Sequence, residues 1–217
     1  YEKRLLAGKW KQAKYLAYFQ AHSNTYAPVS RLKELFEQAL SLPEVVGLSV
    51  STRPDLLPED VLQYLSELNR RTYLEVELGL QSIHNNTLQT INRCHTYEDF
   101  LDGYRALEQR GIRVCVHIIN GLPGETLEMM LQTAESVGKL HPSSVKIHAL
   151  HILKNTRIFR WYETEGVPLL SKKEYVSLVC DQLERFPAET VIQRLTGDGR
   201  RSDLVAPLWT LGKRGVL

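Results

Sequence analysis

The side chains here best suited to chemistry are histidines, cysteines and a few polar groups set into apolar runs. His117 lies in "IRVCVHIIN" (112–120), and His148 and His151 lie in "SVKIHALHI" (144–152). A strand turns successive side chains to opposite faces, so His148 and His151 point apart and form no natural chelate. Neither H-x-H nor H-E-x-x-H occurs. A TIM-barrel metal-dependent hydrolase using His117, Lys146 and His148 stays open as a class, with no motif to select it. A Ser-His-Asp hydrolase lacks its G-x-S-x-G elbow. The three cysteines, Cys94, Cys115 and Cys180, are too far apart for a C-x-x-C pair. Their odd number in a chain of 217 residues predicts free thiols and a reducing cytoplasmic setting rather than a disulfide scaffold.

A second kind of candidate is the polar face of a strand. In "TYLEVELGLQS" (72–82), Thr72, Leu74, Val76, Leu78 and Leu80 alternate with Tyr73, Glu75, Glu77, Gly79 and Gln81. The pattern recurs. Gly47, Ser49, Ser51 and Arg53 alternate with Val46, Leu48 and Val50. Arg113, Cys115 and His117 alternate with Val114, Val116 and Ile118, and Lys146 and His148 with Val145, Ile147 and Ala149. One face of each strand suits covering helices. The other carries groups that cost roughly 1–3 kcal/mol each if buried unpaired, so they must share a wet or ligand-filled space.

The elements that position these groups are repeated βα units. Strands are expected over 14–20, 44–52, 72–82, 112–120, 144–152 and 189–196. Helices are expected from Val29, over 58–70, across "HNNTLQTINR" and "TYEDFLDGYRALEQRG", after "GLPGET", across "NTRIFRWYE" and near 171–186. Such alternation means a parallel sheet. No G-x-G-x-x-G follows a first strand, and the polar inner faces favour a barrel wide enough to hold ligands over a doubly wound sheet. Function then belongs at the C-terminal strand ends: Gln20, Ser51 to Arg53, Gln81, His117 to Asn120 and His148 to His151.

Hydrophobic residues make up 43% of the chain and charged ones 24%, which is enough apolar content for an ordinary core. The net charge of +2 selects no partner, although "YEKRLLAGKWKQAK" and "GDGRRSDLVAPLWTLGKRGVL" are basic and leave a non-catalytic RNA-binding module open. No stretch reaches the ~18 apolar residues of a membrane span.

Taken in order, "YLAYFQAHSNTYAP", "VVGLSVSTRPDLLPEDVL", "VELGLQSIHNNTLQTINRCH", "GIRVCVHIINGLPGET" and "VKIHALHILKNT" resemble successive strand ends of radical S-adenosylmethionine (SAM) proteins. The resemblance is to the bacterial YhcC/YtqA-like subgroup, related to the Elongator catalytic-subunit type, and "VIQRLTGDG" and "LVAPLWTLGKRGVL" extend it nearly to the end. It implies an α/β fold: a partial, open (β/α)6 TIM-like barrel of parallel strands lacking its first strand and cluster loop. The barrel core would occupy residues 1–165, with a helix and strand extension over 166–217. It implies SAM and a [4Fe-4S] cluster as cofactors, and reductive cleavage of SAM to a 5′-deoxyadenosyl radical. A flavodoxin or ferredoxin would supply the electron, and tRNA, through its wobble uridine, is the substrate it suggests. The family's cysteine triplet is absent, and the resemblance places it upstream of Tyr1; no metal ligands are expected here, and the fragment alone should be inactive.

Position by position, the resemblance sets Tyr18 and Gln20 where a strand end meets the methionine amino group. Ser51 falls beside the methionine moiety, Gln81 near the ribose, and Arg93 against the methionine carboxylate. His117 and Asn120 fall around ribose and adenine, with the backbone at Leu150 flanking the adenine. Glu77, Arg113, Lys146 and His148 are the candidates for substrate, with Glu77 equally able to brace Arg113 or Lys146.

Overall fold

A computed structural model describes residues 13–20, 22–197, 199, 201–212 and 215 of the chain. The basic residues Lys3, Arg4, Lys9 and Lys11 lie outside the described residues. Five βα repeats follow one another. Strands β1 (Tyr15–Phe19), β2 (Val45–Thr52) and β3 (Tyr73–Gln81) are separated by helices α1 (Val29–Leu40) and α2 (Glu59–Arg71). Helices α3 (Asn85–Thr90) and α4 (Tyr97–Glu108) lead to β4 (Arg113–Asn120), and α5 (Leu127–Gly138) leads to β5 (Ser144–Ala149). Then come β6 (Ile152–Leu153), α6 (Arg157–Thr164), α7 (Lys172–Leu183), β7 (Val191–Arg194) and β8 (Leu204–Ala206).

Six strands form one parallel sheet in the order β1-β2-β3-β4-β5-β7. This is the open, partial barrel that the resemblance implies, with the polar inner face that the alternation predicts. The stretch read as one strand over 144–152 divides in two. Its second part, β6, leaves the sheet and pairs antiparallel with β8, which the sequence pattern did not reveal. The Leu150 N–H to Asn120 carbonyl bond (2.9 Å) is the last rung between β4 and β5, and past it the chain leaves the sheet.

The helix-facing side of the sheet is the core. Leu48, Val50, Leu74, Val76, Leu78, Leu80, Val116, Ile118, Val145 and Ile147 are fully buried, against Leu32, Phe36, Leu65, Leu68, Leu107 and Val137 from the helices. Each such side chain contributes about 1.5–3 kcal/mol relative to exposure, so this face fixes strand register, since a one-residue slip would turn it inside out. Helix starts are marked locally. Thr96 with Asp99, and Ser171 with Glu174, form reciprocal capping boxes, and Thr126 caps α5. Gly111, at φ +64°, lets the chain leave α4 for β4. Among the described residues no helix is long and apolar enough to cross a membrane.

Candidate functional site

The inner face of the sheet is as polar as its sequence implies, and Glu77 is its centre. Its side chain is only 2% exposed. One oxygen, Oε1, accepts from Lys146 Nζ (2.6 Å) and Ser49 Oγ (2.6 Å). The other, Oε2, accepts from the Tyr18 hydroxyl (2.7 Å), the His117 Nε2 (2.7 Å) and Ser51 Oγ (3.2 Å). The register makes this possible: Ser51 lies beside Glu77, Glu77 beside Cys115, and His117 beside Lys146 across four adjacent strands. Burial by itself would raise the Glu77 pKa. The hydrogen bonds from His117, Lys146, Ser49 and Tyr18 outweigh it and hold the carboxyl well below the usual carboxylate range. Burial likewise opposes the Lys146 charge, but Glu77 wins and raises its pKa. Of the two alternatives for Glu77, bracing Lys146 is the one the geometry provides. Arg113 stands apart at the start of β4, its guanidinium 4.7 Å from the centre of the Tyr73 ring.

A second carboxylate, Glu75, sits lower in the same lumen. It accepts from Gln193 Nε2 (2.7 Å) and Ser144 Oγ (3.1 Å), so neutral donors satisfy it. Cys115 is buried between these groups, and burial pushes its thiol up to about 12. Cys94 and Cys180 are exposed on other elements, and among the described residues no three His, Cys, Asp or Glu converge on a metal position. The cysteines present therefore do not fit a four-iron cluster.

Above Glu77, at the C-terminal ends of the strands, a cavity of about 290 Å³ opens. Tyr18, Gln20, Ser51, Glu77, Gln81, Arg93, His117 and His148 all line it, joined by Arg53 and Arg194. Eight of the candidates thus meet in one place. Lys146 lies just below, through Glu77. Asn120 does not join them. It falls on the opposite face of β4 from His117, and its amide exchanges hydrogen bonds with Gln182 of α7 (2.8 and 2.9 Å). Leu150 packs near Asn120, beside Gly121 and Trp209, rather than at this cavity.

Arg93 is held there by unusual backbone. Asn92 (φ +54°) and Cys94 (φ +63°) flank it, and Gln81 (φ +74°) sits at an irregularity in the β3–β4 register. Non-glycine residues rarely adopt such angles, and clusters of them mark sites that use the strain. The path brings Arg93 Nη2 to the Gly79 carbonyl (2.7 Å), which His95 Nε2 also meets (3.2 Å). A Cβ on Gly79 would lie 2.2 Å from Arg93 Nη2, so only glycine leaves the guanidinium its place. Burial, then the charge of Arg53, works against the Arg93 cation. No carboxylate among the described residues pairs with it, whereas its neighbour Arg53 is paired with Asp55.

His148 carries a related deficit. Its Nε2 is buried without a hydrogen-bond partner, and its ring centre is 5.4 Å from that of His117. Burial and then His117, Arg194 and Lys146 push its pKa down to about 3, so the ring is neutral at ordinary pH. Arg53 lines the cavity as the strand-end reading expected, whereas Arg194 and His22 are lining residues that sequence reasoning did not select. No local pattern announces Arg194: strand periodicity groups it with Ile192 and apart from the lumen-facing Gln193, and it reaches the cavity beside an irregularity in the β5–β7 register.

This polar-lumened half-barrel is the class of fold in which strand ends cradle a ligand. Comparison with known sequences gives the family. The profile of the Radical SAM superfamily matches residues 2–137, and that of the Radical_SAM C-terminal domain matches residues 142–217. The chain belongs to the radical SAM superfamily. It is 52% identical over 209 residues to the uncharacterized protein YtqA of Bacillus subtilis, covering 96% of this chain and 65% of that protein. It therefore spans slightly less than two thirds of that relative. It is 28% identical over 155 residues to a tRNA uridine(34) acetyltransferase of Methanocaldococcus infernus, covering 69% of this chain and 28% of that one. In fold it matches the archaeal Elp3 of Methanocaldococcus infernus with a TM-score of 0.70 at 22% identity, over 86% of this chain and 46% of that one.

Proposed function

We propose that the cavity at the strand ends is the SAM site of a radical enzyme whose whole chain is longer than this stretch. The observation that carries this reading is Arg93: a cation fixed over Gly79 at the mouth of the cavity, with no carboxylate of its own among the described residues. A planar guanidinium suits an α-carboxylate, which it binds in bidentate fashion. Gln81, Ser51 and Gln20 offer polar contacts on the neighbouring strand ends. The cavity volume is close to the lower end of the range for small-molecule sites.

The chemistry that SAM supplies when bound is the family's radical hydrogen abstraction. This chain's residues bind and orient. Arg93 takes the carboxylate. Glu77 holds the Tyr18 hydroxyl, Ser51 and the His117 ring in fixed rotamers beneath the site. No step is assigned to an iron–sulfur cluster, whose ligands these cysteines do not provide. A tRNA substrate, modified at the wobble uridine, is supported by the likeness to the tRNA uridine(34) acetyltransferase and by the family resemblance.

The test is calorimetric titration of SAM into the full-length protein and its Arg93→Ala variant. Charged hydrogen bonds are worth about 1.5–3 kcal/mol, so the variant should bind at least about tenfold more weakly. Equal affinity would remove Arg93 from the site and this reading with it.

A further inference from the structure

We infer that the same cavity holds a second anion site, built on Arg194 with His148 beside it, which receives a negatively charged group of the substrate. The inference rests on the SAM reading above and extends it. Arg194 closes β7 at the far edge of the sheet, next to Lys146 in register, and lines the cavity. Among the described residues it has neither a carboxylate nor a hydrogen-bond partner, although Lys146 and Arg53 in the same region are both neutralised. His148, within electrostatic reach of Arg194, keeps a buried Nε2 with no partner, and as a neutral ring it can donate a hydrogen bond without adding charge.

The two arginines without a carboxylate enter the cavity from different strands. Arg93 is anchored to Gly79 on β3, and Arg194 stands on β7, three strand spacings away in the sheet order. Adjacent strands lie about 4.8 Å apart, so the two anchor points are roughly 14 Å apart along the sheet. SAM brings a single carboxylate and no phosphate. If that carboxylate goes to Arg93, the partner for Arg194 comes from another molecule sharing the cavity. The chemistry at Arg194 is that of a phosphate or carboxylate, since a guanidinium fork matches either. An RNA backbone would supply the first, and an acidic substituent of the substrate the second.

The experiment uses full-length protein saturated with SAM, and its Arg194→Gln and Arg194→Lys variants. The probes are a short unmodified RNA and succinate, each titrated separately. Arg194→Gln should weaken binding of one probe by about tenfold, and Arg194→Lys, which keeps the charge, by about threefold or less. A loss confined to RNA, with the salt slope falling by about 0.7, assigns a phosphate. A loss confined to succinate assigns a carboxylate. The inference is overturned if neither probe responds. It is also overturned if Arg194→Gln weakens SAM as much as the probes, because Arg194 would then belong to the cofactor site and the SAM reading would stand. If the wild-type protein binds no SAM, the cofactor reading fails, and the response of the two probes to Arg194→Gln still decides the second site on its own.

Discussion

Replacing Glu77 by Gln tests how this lumen is held together. The substitution keeps the shape and removes one charge from a side chain that is 2% exposed. Gln can still accept at Oε1 from Lys146 and Ser49. Its Nε2 now faces Tyr18, Ser51 and His117, which must turn to accept where they had donated. The two hydroxyls rotate at little cost, and the imidazole changes tautomer. What cannot be repaired is Lys146, an ammonium 8% exposed that loses its only carboxylate partner among the described residues. Removing one partner of a buried pair costs about 3–5 kcal/mol, a large share of the ~5–15 kcal/mol by which domains are stable. Glu77→Gln should therefore cost about 3 kcal/mol in urea unfolding of the full-length protein. Adding Lys146→Met removes the stranded charge, and the double variant should recover about 2 kcal/mol relative to the sum of the singles. The pH dependence has a definite sign. The Glu77 pKa is depressed on folding, so its contribution is complete above the ordinary value of 4.5 and is lost as pH falls toward the folded value. Glu77→Gln should flatten the acid limb of the stability curve below about pH 4.5. A cost under about 1 kcal/mol, or strict additivity with Lys146→Met, would refute the picture of a charge-paired hub.

Two further outcomes follow from neighbouring groups. His148, pushed down to about 3 from 6.5, is neutral when folded and would charge when unfolded. Its contribution is present above pH 6.5 and lost as pH falls, by up to about 1.4 kcal/mol per pH unit, and His148→Gln should remove that slope from a stability–pH series. Gly79→Ala drives a methyl group to 2.2 Å from Arg93 Nη2 and 2.6 Å from Gln81 Nε2. Both are ends of flexible side chains, so urea unfolding should shift by less than about 1.5 kcal/mol while SAM affinity falls about tenfold in the same titration as Arg93→Ala.

Much of this was legible in the sequence because strand periodicity carries it. The alternation in β2, β3, β4 and β5 assigned Ser49, Ser51, Glu75, Glu77, His117, Lys146 and His148 to one face, and they do share it. Period two also says that His117 and Asn120, three apart, face opposite sides. The family likeness grouped them, and the structure sends Asn120 to Gln182. Distance along the strand was harder to read. Arg113 shares the face of His117 but enters at the strand's other end, where it meets Tyr73. Pairing between strands was not legible at all. The choice of Lys146 over Arg113 as the partner of Glu77 depends on parallel register, which no local pattern encodes. The division of β5 from β6 depends on where pairing with β4 stops and pairing with β8 begins, and β8 is too short to announce itself.

The arrangement of charge then separates structure from function within one cavity. Lys146 is satisfied from below by Glu77, and Arg53 from the side by Asp55. These pairs are closed, and their removal should be felt as lost stability. Arg93 and Arg194 are open, each lining the same space without a carboxylate among the described residues. Holding an unpaired cation in a half-buried site opposes folding, so its retention needs a return that the folded chain alone does not provide. On the function proposed above that return is a ligand anion, which makes the two kinds of arginine distinguishable by experiment. Arg53→Gln should lower stability with little effect on ligand affinity in the same buffers. Arg194→Gln should leave stability equal or higher in the absence of ligand, Arg93→Gln should cost no more than its hydrogen bonds to the Gly79 carbonyl, about 1.5–3 kcal/mol, and both should lower affinity in the presence of ligand. A loss of unliganded stability on removing Arg194 would mean that this cation has a structural partner, and the cavity would lose its claim to an anionic occupant at that point.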